Sequence, residues 1–506
     1  MLAAVDTVRL HVSSKLDTKR KSQLGQFLTP ATVAGFMASL FPSTDLASCR
    51  LLDAGAGVGS LTSAFLDRWE NGGLNFKDLT IDAYEIDDFM RQHLEENLSK
   101  YTDRLSMQIN VHATDFIKAS SDVLAHDLFS PAGRYFTHAI LNPPYKKISS
   151  DSNHRRLLRR AGIETVNLYS AFVALALSLL DAQGVLVAII PRSFCNGPYY
   201  RPFREYLLER SAIRHIHLFA SRDKAFKDDK VLQENVIIML ERGGVQSDVI
   251  VSTSTDDAFF DYRTDIHPFD SIVCPDDPER VIHVPTSTES NFIDCSLSIL
   301  NTLGDIDISV STGPVVDFRV REHLRCMPEQ GCVPLLYPCH FVAQSIEWPK
   351  VDSKKPNAIE VNSETERWLY PIGFYVVTRR LSSKEEKRRI VASVVNPAAF
   401  PKAAMLGFEN HLNVFHEHKH GLPEFLARGL AVFLSSTSVD LYFRCFSGHT
   451  QVNATDLKLM KYPSRSNLID LGKWAKKQYL LTQELIDERV EKQLNESSRK
   501  KNRRST

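Results

Sequence analysis

Arg50-Leu-Leu-Asp-Ala-Gly-Ala-Gly-Val-Gly59 is an apolar run that ends in an acid and passes into three alternating glycines. Immediately after it, Val58, Leu61, Phe65, Leu66 and Trp69 recur at helical spacing. The run reads as a strand, the glycines as a sharp turn, and the periodic stretch as a helix with one face on a core. The glycine spacing is G-x-G-x-G, not the dinucleotide G-x-G-x-x-G. Between a strand and a helix such a turn lets backbone approach a ligand closely, which makes Asp53, Gly55 and Gly57 candidate cofactor residues. A tight turn in any sheet of this kind would look the same.

On either side of this turn, strand-like and helix-like runs alternate from Leu51 to Leu240, the pattern of an open α/β sheet. Leu79 to Glu85, Met107 to Ala113, Tyr135 to Leu141 and Gly184 to Ile190 read as further strands, with Ala212 to Phe219 and Asn235 to Glu241 closing the sheet. Residues 1–245 are therefore expected to form one α/β domain. Residues 246–305 lose periodicity and gain Asp, Ser, Thr and Pro, and read as a junction. Residues 306–465 carry short strands such as Tyr375 to Thr378 and Arg389 to Val394, and read as a mixed α+β second domain. In residues 466–506, Leu468 to Leu494 reads as one helix, followed by a basic tail with no expected structure.

At the end of the fourth strand stands Asn142-Pro143-Pro144-Tyr145. Its chemistry suits methyl transfer to a planar nitrogen, whose lone pair is delocalised and must be drawn back onto the atom. Two acceptors that bond the two N–H protons do this: the Asn142 amide oxygen and the Pro143 carbonyl. The prolines stiffen the turn, and Tyr145 offers a face for a flat base.

Other candidates sit at the ends of neighbouring strands. Glu85, in Asp82-Ala-Tyr-Glu85-Ile-Asp87, is placed to take the hydroxyls of a ribose, although it would equally cap the next helix. The excess separation from the glycine turn is accounted for by an insertion at Asn71-Gly-Gly73. Asp115 suits the amino group of an adenine ring and Phe116 its face; an N-cap and a core aromatic are the plainer readings. Thr29 precedes Pro30 and an amphipathic helix from Ala31 to Leu40, and reads as its N-cap and as a neighbour for a carboxylate. Lys146, Arg155 and Arg156 lie in a basic run after the Asn-Pro-Pro-Tyr turn; they are phosphate candidates or a solvated face.

Composition is that of a globular protein. Its 506 residues exceed one ordinary core, and a formal net charge of +0 leaves any nucleic acid to a local basic surface. The eight scattered cysteines contain no C-x-x-C pair and point to reduced thiols in the cytoplasm. Cys326, Cys332, Cys339 and His340 fit no common zinc spacing, so no metal is expected. The apolar stretch around Ala171 to Ile190 is broken by Asp181-Ala-Gln-Gly184 and reads as core, so no membrane association is expected. The N-terminus lacks the pattern of a secretion signal.

Taken in order, Gly25-Gln-Phe-Leu-Thr-Pro30, the glycine turn, Glu85, Asp115-Phe116 and Asn142 to Tyr145 resemble the gamma-class N6-adenine DNA methyltransferases of type II restriction-modification systems, the group with a TaqI-like catalytic domain. Val310 to Phe318 and Phe446 to Leu457 resemble target-recognition segments of longer members, and the whole is similar to PstI-like enzymes. The resemblance implies a Rossmann-like S-adenosylmethionine-dependent methyltransferase domain with a mixed α+β C-terminal target-recognition domain. It implies S-adenosylmethionine as cofactor, double-stranded DNA as substrate, a cognate restriction endonuclease as functional partner, and a palindromic CTGCAG target. The cofactor would meet Thr29, Gly55, Gly57, Glu85, Asp115 and Phe116. The adenine would be flipped out, held by Asn142 and Pro143, and stacked on Tyr145 and on Phe226. His449, Gln451 and Asn453 are candidates for reading bases. Two alternatives stay open: a protein-glutamine or ribosomal RNA N-methyltransferase sharing the same tetrapeptide, and a catalytically idle DNA-binding module.

Overall fold

The strand ahead of the glycine turn, β1 (Ser48–Ala54), pairs in parallel with β2 (Asp78–Tyr84), which pairs with β3 (Met107–His112); on its other side β1 pairs with β4 (Phe136–Leu141), and β4 with β5 (Leu180–Pro191). This is a computed structural model, and it describes residues 1–15, 27–102, 104–126, 135–220, 234–275, 277–285, 299, 301–342, 345–382, 386–447 and 451–502. The chain divides into two units, Met1–Thr288 and Glu289–Thr506.

In the first unit the sheet continues through β6 (Ser211–Phe219) and β7 (Asn235–Arg242), then β8 (Val249–Ser254) and β9 (Arg263–His267). Among the described residues its order is β3-β2-β1-β4-β5-β7-β6-β8-β9, with β7 antiparallel to both β5 and β6. Strand order reverses between β1 and β4, so the loops leaving these two strands open a crevice at their carboxyl ends. The glycine turn and the Asn142 turn are those loops.

Alternation along the strands explains the two cores. Leu52, Ala54, Ala139 and Leu141 face one apolar cluster, while Leu51 and Ile140 face the other. The first cluster takes the helix Leu168–Ser178. The second takes Val33 and Met37 of Ala31–Ser39, and Leu61 and Phe65 of Ser60–Glu70. A sheet covered on both faces needs strands that are apolar throughout, which is why they read as continuous apolar runs.

The stretch 246–305, expected as a junction, instead begins with β8 and β9, and Val281, Ile282 and Val284 are buried. Its polar composition follows from edge position: β9 lies at the rim, and every residue from Arg263 to His267 is exposed or half-exposed.

In the second unit, Ser309–Thr312, Leu412–His416, Tyr375–Arg379 and Ala392–Val395 form one sheet in that order. Cys332–Leu336 is the centre of a second sheet, between Ala358–Glu360 and Met405–Phe408. The region expected as one helix from Leu468 to Leu494 is two, Arg465–Lys476 and Gln483–Asn502. The second of them runs on into the stretch expected to be an unstructured tail. Among the described residues no helix is long and apolar enough to cross a membrane.

Candidate active site

Three glycines of the turn after β1 take positive φ: 81° at Gly55, 58° at Gly57 and 88° at Gly59. At Gly57 the positive φ disfavours any side chain, and a Cβ there would lie 2.9 Å from Leu28 Cδ2, which would have to move aside. The turn is held from beneath and from the side. Thr62 donates to the Asp53 carboxylate at 2.6 Å, Asn97 donates to the Val58 carbonyl at 3.0 Å, and the Gly57 N–H donates to Glu85 Oε2 at 2.9 Å. Glu85 Oε1 accepts from the Asp87 N–H at 2.8 Å, and burial raises the Glu85 carboxyl above its ordinary range.

Gly55, Gly57, Glu85, Asp115, Phe116 and Asn142 line one cavity of about 270 Å³. Its walls are completed by Phe27, Leu28, Tyr84, Ile86, Met90, Leu168 and Phe172, and by the polar side chains of Thr114, Lys146 and His154. A largely apolar cavity with carboxylates at two strand ends suits a nucleoside linked to an amino acid. The ribose and adenine candidates, Glu85 and Asp115, are both present on its surface.

Asp53 stands elsewhere than expected. It is fully buried beneath the turn, outside the cavity lining, and burial pushes its carboxyl up to about 7 against the Thr62 hydrogen bonds. With one oxygen taken by the Thr62 hydroxyl, this carboxyl braces the turn from below the cavity lining.

Thr29 also departs from expectation. The helix Ala31–Ser39 begins after Pro30 with no side-chain cap, and its first free N–H, that of Ala31, donates to Asp6 Oδ1 at 3.0 Å. Asp6 in turn accepts from Arg9 Nε at 2.6 Å. The helix start is thus already supplied with a carboxylate, and the Thr29 hydroxyl is turned to Asn142 instead. Asn142 Nδ2 donates to Thr29 Oγ1 at 2.9 Å and to the Phe27 carbonyl at 2.8 Å. A carbonyl only accepts, so this pairing settles which end of the amide is nitrogen. The acceptor Oδ1 is left as the remaining end of the Asn142 amide.

Pro144 lines the cavity, whereas Pro143 is buried. Tyr145 lies outside the lining: its ring packs against Phe27 at 5.5 Å and edge-on to Tyr169 at 6.2 Å. Its hydroxyl stands 3.2 Å from both Asn142 Oδ1 and the Ile189 carbonyl, with one proton to give to either. Phe116 is buried against Tyr84 and Phe172, so it is wall and core at once.

Of the basic candidates, Lys146 and Arg156 are exposed. Arg155 is buried and ion-paired with Glu164, which removes it from solvent and corrects its reading as a phosphate contact. Asn453, expected to read bases, is spent on a capping box with Asp456 at the start of Ala454–Leu459. Gln451 pairs through its backbone with Leu381. Phe226 and His449 lie outside the described residues, as do Gly25 and Gln26.

Other contributors were not singled out in the sequence. Phe27, inside the segment 25–30, acts through its backbone carbonyl, and Asp6 caps the helix Ala31–Ser39 from a distant position. Leu168 and Phe172, four residues apart on one helix face, were visible as an apolar pair and no more.

The fold and this cavity define a class of enzyme that binds a nucleoside cofactor across the carboxyl ends of a parallel-rich sheet. Residues 5–226 match the family described as Eco57I restriction-modification methylase. The chain is 54% identical over 477 residues to the type II methyltransferase M.BsuBI of Bacillus subtilis, covering 94% of each. It is 44% identical over 487 residues to the type II methyltransferase M.PstI of Providencia stuartii, covering 92% of each. Among solved structures, the DrdV–DNA complex aligns with 90% of this chain and 57% of its own at 12% identity and a TM-score of 0.49. The chain belongs to the type II methyltransferases of restriction-modification systems. It is a DNA methyltransferase, and its methyl donor is S-adenosylmethionine.

Proposed function

We propose that the methyl group goes to N6 of an adenine flipped out of double-stranded DNA, within the CTGCAG target that the PstI-like resemblance implies. The observation that carries this reading is the Asn142 amide. Both of its N–H protons are held by Phe27 and Thr29, so its oxygen is the end available to a substrate. An exocyclic amine has two N–H protons, and Asn142 Oδ1 with the Pro143 carbonyl would accept both and return the lone pair to nitrogen. Release of the Tyr145 hydroxyl to the Ile189 carbonyl frees Oδ1, and the ring of Tyr145 then serves as the stacking face, with Phe226 as its proposed counterpart.

When bound, S-adenosylmethionine supplies a methyl carbon activated by its sulfonium, toward which that nitrogen is directed. Gly55 and Gly57 would hold its amino-acid part, Glu85 its ribose hydroxyls, and Asp115 and Phe116 its adenine. The second unit is the proposed target reader, and Lys146 and Arg156 are proposed phosphate contacts. A cognate restriction endonuclease is the proposed functional partner.

Asn142→Ala tests the acceptor role. Transfer should fall by about a hundredfold to a thousandfold, the scale of losing one aligned polar group at a reacting centre, while S-adenosylhomocysteine still binds. Wild-type turnover in the variant would end this reading.

A further inference from the structure

Asp115 is tied to a second titratable group that also faces the cavity. His154 Nε2 stands 2.8 Å from Asp115 Oδ2, and both side chains line the cavity. The other Asp115 oxygen accepts the Lys118 N–H at 3.1 Å, capping the helix Phe116–His126. The carboxylate is therefore gripped at both oxygens from two different elements, and its plane is fixed.

The grip from His154 comes from the helix Asn153–Arg160, which follows the Asn-Pro-Pro-Tyr loop and carries Arg156 and Arg160 on its exposed side. That helix is anchored independently by the Ser152 hydroxyl, which accepts from Arg155 N, and by Arg155 paired with Glu164. Burial raises the Asp115 carboxyl, but the hydrogen bonds from His154 and Lys118 and the His154 charge outweigh it and hold it below its ordinary range. The same hydrogen bond raises His154 against burial and the Lys146 charge. The shifts agree on one strong, mutual contact.

We infer that His154 is a positioning residue of the adenine subsite: it orients Asp115 toward the adenine amino group and thereby links occupancy of the cofactor cavity to the placement of the basic helix Asn153–Arg160. The inference rests on the proposed reading of Asp115 as the acceptor for that amino group. The helix stands next to the substrate loop, so a cofactor-filled cavity would steady the surface that faces DNA.

Calorimetry on the full chain tests it, with S-adenosylhomocysteine and S-inosylhomocysteine as probes. The second probe carries a carbonyl where adenine has its amino group. The wild type should prefer the adenosyl compound. His154→Ala should lose about tenfold in affinity for it, the equivalent of one charge-assisted hydrogen bond, with little change for the inosyl compound. His154→Gln, which keeps a donor, should restore most of the affinity. Hydrogen exchange across Asn153–Arg160 should slow on addition of S-adenosylhomocysteine in the wild type and respond less in His154→Ala. Melting without ligand controls for folding, since the His154 side chain is 36% exposed. Unchanged affinity and preference in His154→Ala would overturn the positioning role, and unresponsive exchange in the wild type would overturn the link to the helix. A wild type with no preference between the probes would instead overturn the reading of Asp115 beneath it.

Discussion

At Asn142 the amide has two protons to give, and Phe27 and Thr29 take both from positions 115 and 113 residues away in the chain. The tetrapeptide itself was legible, because its chemistry is local: an amide, two rigid prolines and an aromatic. What orients the amide was not legible, since no spacing rule connects a backbone carbonyl to a side chain so far along. Thr29 illustrates the consequence: the local pattern Thr-Pro before a helix reads as a cap, but the fold gives the cap to Asp6 and the hydroxyl to Asn142. Asp53 is a similar case. Its position beside the glycines suggested a ligand contact, whereas burial made it part of the turn, with its carboxyl raised to about 7 from an ordinary 3.8. A carboxyl raised in the folded state contributes stability below pH 4 that is lost as pH climbs through about 7, a loss on the order of 3 to 4 kcal/mol over the window. Asp53→Asn should remove that slope. The melting-temperature difference, variant minus wild type, should therefore rise between pH 4 and pH 8; a constant difference would contradict it.

At the scale of elements, strands buried on both faces were legible because their apolar runs are continuous. Edge strands were not: β9 alternates Arg, Thr, Asp, Ile and His, which reads as loop until a neighbouring strand supplies its hydrogen bonds. The break between Arg465–Lys476 and Gln483–Asn502 was hidden for another reason, since Lys477 to Thr482 contains neither proline nor glycine. A tertiary contact in the first of these helices is sharper still. Where Glu424–Leu434 meets Arg465–Lys476, a Cβ at Gly429 would lie 1.7 Å from the Leu468 carbonyl oxygen, and one at Gly472 would lie 1.7 Å from that of Phe425. The two backbones touch at a pair of glycines. Alanine favours an isolated helix over glycine by about 1 kcal/mol, so propensity alone expects Gly429→Ala to stabilise. Packing expects the opposite, a loss of about 3 kcal/mol or more as the helices are forced apart. Urea unfolding decides between them: a midpoint at or above that of the wild type would refute the close crossing.

Across the whole molecule, the first unit places the glycine turn, Glu85, Asp115 and Asn142 around one crevice because β1 and β4 flank the reversal in strand order. These residues come from separate stretches, and only the parallel topology collects them. That topology follows from the alternation of strand-like and helix-like runs, so the set was legible in the sequence. Candidate contacts to DNA were less legible. A basic or amide side chain serves a phosphate, an ion pair or a helix cap with the same chemistry, as Arg155 and Asn453 demonstrate. The reaction proposed for this crevice is methylation of N6 of adenine in DNA. It is checked by labelled methyl transfer from S-adenosylmethionine to duplex DNA, RNA and protein in parallel, followed by nucleoside analysis of the labelled product. N6-methyladenine in DNA, with RNA and protein blank, is the predicted result; label on cytosine, or on RNA or protein with DNA blank, would contradict it.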